Sequence, residues 1–151
     1  MIDDADRRLL RILQQDGRIT NQELAARSAM SPSACLERTR RLKDRGIIRG
    51  TVALLDPAKL DQAFLVFVEV MLERTTGDVF RKFSEAVAER PEILECHMVA
   101  GGFDYLLKLR LPDMATYRRF LIDELAELPG VRETRTYAVM DEVKNTTALP
   151  I

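Results

Sequence analysis

The sequence is short of the residues that metal and redox chemistry require. Its 151 residues include two cysteines and one histidine. Cys35 and Cys96 stand far apart and form no CxxC pair, which points to reduced thiols and a cytoplasmic protein rather than a disulfide framework. His97 has no second histidine to join it, so a zinc site would be short of ligands. No apolar run reaches the roughly 18 residues that cross a bilayer. The start, Met1-Ile2-Asp3-Asp4, is acidic and carries no signal-peptide pattern. No Ser/His/Asp arrangement, phosphate-binding loop or GxGxxG occurs, so nothing argues for an enzyme or a cofactor.

What is present fits a soluble globular chain with room for one ordinary domain or two small ones, at 46% hydrophobic and 31% charged residues. Its charge is split. Residues 1–55 hold 11 Lys and Arg against 7 Asp and Glu, a net +4, and residues 56–151 hold 12 against 17, a net −5. From Arg38 to Arg49 six basic residues face Asp44 alone. A polyanion would be attracted to the first third and repelled by the rest. A solvated helix face is the commoner meaning of such a run taken by itself.

Helical spacing is evident from Asp6 to Gln14, through Leu9, Leu10, Ile12 and Leu13, with Gly17 suited to a left-handed stop. Thr20-Asn21-Gln22-Glu23 reads as a capping box opening a short helix to Arg27. Ser31-Pro32 opens a third helix that runs to Arg45 and closes at Gly46. Three short helices with a tight turn between the last two make a helix-turn-helix. Ile47 to Leu55 is β-branched and apolar, suited to a wing or linker strand, and Asp56-Pro57 marks a boundary. The domains expected are 1–56 and 57–151. The second reads strand (63–72), helix (78–89), strand (93–99), strand (105–111), helix (114–127), strand (131–139), a ferredoxin-like βαββαβ order in an α+β protein. Helices could cover one face of that sheet. Leu65, Phe67 and Met71 on the other suggest a two-fold homodimer interface, or burial beneath the N-terminal domain.

On the third helix Cys35, Thr39 and Leu42 share the core side, Ser33, Glu37, Arg40, Arg41 and Asp44 point away, and Arg38 lies on the flank. Arginine forks suit phosphate oxygens and guanine edges. Glu37 is placed to pair with Arg41, the favoured reading, or to accept from cytosine N4. Arg18 and Arg49 are candidate phosphate contacts or ordinary surface charges. Between two strands, Gly101-Gly102-Phe103-Asp104 could offer amides to a carboxylate and Asp104 to an amino group, although spacing alone favours a turn in which Asp104 bonds its own backbone.

These stretches together resemble the leucine-responsive/asparagine-operon (Lrp/AsnC) regulator family, closest to its leucine-responsive branch. The marks are Asp16-Gly17-Arg18-Ile19-Thr20-Asn21, Ser31 to Arg38, Gly46-Ile47-Ile48-Arg49-Gly50, Ala53 to Pro57, Gly101 to Leu107, Thr134 to Tyr137 and Val139 to Lys144. The resemblance implies a winged helix-turn-helix that binds double-stranded DNA and a βαββαβ domain that senses an amino acid, leucine or similar. It also implies dimers that assemble into octamers. It carries DNA contact onto Ser33, Glu37, Arg38, Arg40 and Arg41. Effector contact goes onto Met98, Ala100, Gly101, Gly102 and Asp104 and, from a neighbouring subunit, Thr134, Thr136 and Ala138. Two residues depart from the pattern: Ala29 stands where a turn glycine is usual, and Gly102 where leucine-responsive members often carry an acid. A ligand-binding module without DNA contact and an enzyme on the same sheet are the competing functions, and the outward arginines and the missing general base weigh against them.

Overall fold

Asp3 accepts the Asp6 amide at 2.8 Å while Asp6 reaches back to the Asp3 amide, a reciprocal cap that starts α1 (Asp4–Gln15). The computed structural model describes residues 2–151. Thr20 caps α2 (Asn21–Arg27) by accepting from Glu23 at 3.2 Å, so the forward half of the expected capping box forms. Ser31 accepts from Ala34, and Pro32 opens α3 (Pro32–Asp44) without wasting an amide. Leu9, Leu24, Ala25 and Cys35 bury the seam between the three helices, with Ile12, Leu13, Ile19 and Met30 packed against them. Burial also pushes the Cys35 thiol above its ordinary pKa, as suits a packing residue.

The turn between α2 and α3 places Ala29 at φ +56°, in the left-handed region that glycine tolerates and alanine resists. Ala29→Gly should therefore raise the melting temperature modestly. It removes a penalty of about 1 kcal/mol, offset in part by the freer unfolded chain. A lower midpoint in thermal denaturation would show that the alanine methyl stabilises the turn.

Gly17 departs from expectation. Its φ lies outside the left-handed region, and α1 ends on Asp16 in extended backbone. What favours glycine is space: an added Cβ would stand 2.6 Å from Thr51 Cγ2, the tip of an exposed side chain that would have to turn away. The expected strand over 47–55 does not form either: the Ile47 and Ile48 amides donate back to Leu42 O at 3.0 and 3.2 Å, and the segment pairs with none of the strands described below. Val52, Leu54 and Leu55 stay largely exposed.

The chain divides into two compact units, one of residues 1–54 with 144–151 and the other of residues 55–143. By contact the last eight residues lie with the first of these. There the Gln14 amide nitrogen donates to Leu149 O at 3.1 Å, the Gln14 oxygen accepts from Leu149 N at 2.6 Å, and Arg11 donates to Ile151 O.

In the second unit β1 (Phe64–Leu72), α4 (Gly77–Ala88), β2 (Ile93–Met98), β3 (Tyr105–Leu111), α5 (Met114–Phe120) and β4 (Val131–Ala138) follow in chain order. After α5 the helix widens into a π turn over Leu121–Leu125, so the single helix expected from 114 to 127 is α only in its first half. The antiparallel sheet has the order β2-β3-β1-β4, the ferredoxin-like arrangement. Val66, Val68, Val70 and Leu72 alternate into the core with Leu107, Leu109 and Leu111, beneath Phe83 and Val87 of α4 and Tyr117 and Phe120 of α5.

The opposite face of β1 is less apolar than a run of Leu65, Phe67 and Met71 suggests. Leu65 is buried, and Phe67 and Met71 are half-buried. Phe67 lies between Lys108 and Tyr137, and Glu69 between Leu106 and Arg135. Tyr137 donates to Glu69 at 3.1 Å, Lys108 pairs with Glu95 at 3.0 Å, and Arg110 with Glu142 at 2.9 Å. An apolar strip bordered by ion pairs results.

Candidate functional sites

Two sites emerge, one in each unit. On α3 the burial pattern follows the helical period: Cys35 and Leu42 are sealed, Thr39 is half-buried, and Ser33, Leu36, Glu37, Arg40, Lys43 and Asp44 are exposed. Arg40 is 82% exposed, with Nε 3.7 Å from Asp44 one turn on. Arg18 and Arg49 are exposed at the two margins of this region of sequence.

Arg38 and Arg41 are engaged inside the unit. Asp6, fully buried on α1, accepts from Arg38 at 2.9 Å and from Arg41 at 3.2 Å with both carboxylate oxygens, and Asp3 takes a further bond from Arg38 at 2.7 Å. The Glu37–Arg41 pair expected from helical spacing is therefore replaced by a tie between helices: a buried carboxylate must be compensated, and an exposed one need not be. The Arg38 side chain retains 30% exposure and Arg41 48%, so both are shared between the fold and whatever meets α3. Arg38 holds the Asp3 carboxyl below its usual pKa and is itself raised by Asp3 and Asp6. The contribution of Asp3 is thus present above the ordinary carboxylate pKa and is lost only as pH falls through the lowered value. Sequence reasoning missed Asp3 and Asp6. The only signal was their three-residue spacing ahead of a helix, which reads as a cap and says nothing of arginines more than thirty residues away.

The second site is the loop joining β2 to β3. Met98, Ala100, Gly101 and Gly102 are exposed, and Asp104 is half-buried. Asp104 Oδ2 accepts from the Leu72 amide at 2.8 Å, and the Asp104 amide donates to Val70 O at 3.0 Å. The carboxylate thus serves β1 beside the register shift at Met71/Leu72, rather than its own turn. Gly101 and Gly102 avoid the left-handed region, and nothing lies within 4 Å of where a Cβ would stand on either.

Thr134, Thr136 and Ala138 lie on β4, at the opposite sheet edge from β2, with β3 and β1 between. Within one chain they do not join the loop. The Thr136 hydroxyl is hydrogen-bonded to Tyr117 OH.

Comparison with known proteins also finds two domains, and there residues 144–149 fall with the second. Residues 2–49 match a winged helix-turn-helix DNA-binding domain, and residues 65–149 match the Lrp/AsnC ligand binding domain. The chain is 54% identical over 150 residues to the leucine-responsive regulatory protein of Klebsiella pneumoniae, across 99% of this chain and 92% of that one, and the Escherichia coli K12 protein of the same name is as similar. Among solved structures, a transcriptional regulator from Neisseria meningitidis in complex with L-Met has a TM-score of 0.95 at 38% identity, covering 99% of this chain and 97% of its own. An AsnC family regulator from Agrobacterium tumefaciens has a TM-score of 0.94 at 36% identity, covering 98% and 96%. Helix-turn-helix, ferredoxin-like sheet and glycine loop, in this order along nearly the whole length of such relatives, establish that the chain belongs to the Lrp/AsnC family of transcription regulators.

Proposed function

We propose that this regulator binds duplex DNA as a homodimer or a larger even assembly, with α3 in the major groove, and that a small apolar amino acid held at the glycine loop sets its state. The observation that carries the sensing half is the loop itself. No described residue crowds a Cβ at 101 or 102, and neither backbone is left-handed. The two exposed glycines leave backbone amides bare at the loop, which suits a carboxylate. Met98, Ala100, Gly101, Gly102 and Asp104 form one wall, and Thr134, Thr136 and Ala138 of a second copy the other. Leucine and methionine are the first candidates, since one relative is named for leucine and another holds L-Met. The assembly acts in the cytoplasm, where DNA and free amino acids meet.

At the DNA, Ser33, Glu37, Arg40 and Arg41 face the bases or nearby phosphates, Arg18 and Arg49 the backbone, and Arg38 chiefly fixes the angle of α3. Titration of fragments from the protein's own upstream region should show affinity falling steeply with salt as counterions are released. Arg40→Ala should cost about 1–3 kcal/mol if it reads a base. Salt-independent binding would overturn the reading.

The apolar strip on β1 is the surface we assign to the dimer. Phe67→Lys should leave a monomer in sedimentation, because each copy would desolvate a charge facing its twin. An unchanged assembly would move the interface elsewhere.

A further inference from the structure

Leu36 is 60% exposed on a helix face otherwise built of Ser33, Glu37, Arg40, Lys43 and Asp44. The neighbouring apolar residues of α3, Cys35 and Leu42, are both sealed in the core. A single exposed leucine on a protein surface needs no explanation. Here its position matters. Ser33, Leu36 and Arg40 follow at spacings of three and four residues and so form one stripe, and Leu36 is the fifth residue of α3, within the N-terminal half that meets base edges when such a helix enters the major groove. The side chain would lose its water there whether or not it found an apolar partner. Only one base edge in that groove is apolar, the thymine C5-methyl group.

We propose that Leu36 is a specificity residue that packs on a thymine methyl, beside the polar contacts of Ser33 and Arg40. The inference rests on α3 being the DNA-reading helix. It assigns to Leu36 a preference that no arginine on that face can supply, because guanidinium groups favour guanine edges and phosphates.

The test uses a duplex selected by the wild-type protein from a random-sequence pool, and then the same duplex with each thymine replaced singly by deoxyuridine. Deoxyuridine keeps every hydrogen-bonding group of thymine and lacks only the methyl. Wild-type affinity should fall about fourfold at one position in each half-site, the value of burying one methyl group. Leu36→Ala should bind the thymine and deoxyuridine duplexes equally, and Leu36→Met, which keeps apolar reach, should restore most of the difference. Because Leu36 is exposed and alanine favours helices, circular dichroism should be unchanged. Absence of any methyl-sensitive position in the wild type overturns the proposal, as does a sensitivity that persists undiminished in Leu36→Ala. Failure to select any duplex would instead overturn the assignment of α3 to DNA, and the proposal with it.

Discussion

Asp6→Ala should destabilise the N-terminal unit by about 2–3 kcal/mol, a fall of roughly 10–20 °C in the melting temperature of so small a unit. Asp6 is fully buried and accepts from both Arg38 and Arg41, so its loss leaves two guanidinium groups without their shared anchor and α3 without its tie to α1. This cost is below the roughly 3–5 kcal/mol of a fully buried pair that loses one partner, because both arginines keep access to water. Asp6→Asn keeps one acceptor and should fall between the wild type and the alanine variant. DNA affinity should drop along with stability, since α3 is aimed through this contact. An unchanged melting curve for Asp6→Ala would mean that the helices are held by their apolar seam alone.

Asp104→Asn should weaken amino-acid binding tenfold to a hundredfold while leaving ligand-free DNA affinity nearly unchanged. The structure sharpens this experiment, because Asp104 already serves the Leu72 amide. Asparagine can offer its carbonyl oxygen to that amide and preserve the strand, but it lacks the charge for an α-ammonium group, a loss of about 1.5–3 kcal/mol. Asp104→Ala should add a structural cost of about 1–3 kcal/mol by orphaning the Leu72 N–H. A thermal-shift screen of the twenty amino acids selects the ligand, since one that binds the folded state raises the melting temperature. Calorimetry then compares the proteins. Equal affinities for wild type and Asp104→Asn would confine Asp104 to its strand contact. Loss of DNA binding without ligand would make it an assembly residue.

Local signals were read correctly where a local cause decides the outcome. Ser31-Pro32 starts a helix because its hydroxyl and its ring act within one turn, and Tyr105–Leu111 is a strand because its alternation is sufficient. The misreadings share a cause, which is that the deciding partner is distant in sequence. Ile47 to Leu55 has the composition of a strand but pairs with none of the four strands described. Gly17 is favoured by the nearness of Thr51, not by its own φ. Arg41 chose Asp6, 35 residues away, over Glu37 one turn away, because burial makes the more distant carboxylate the needier one. The helix face and the glycine loop were legible at the level of residue type. That β4 stands across the sheet from the loop, so that Thr134 and Thr136 do not join it within one chain, follows from the strand order β2-β3-β1-β4.

The packing of residues 144–151 with the first unit has a consequence for synthesis. A chain emerging from the ribosome offers α1, α2 and α3 first, and domains generally fold as they appear. Gln14 and Arg11, however, must wait for Leu149 and Ile151, and these emerge only after all four strands of the inserted unit. The helix-turn-helix of a nascent chain is therefore formed but unfinished until residues 149–151 have emerged, and a chain broken off before them lacks these contacts.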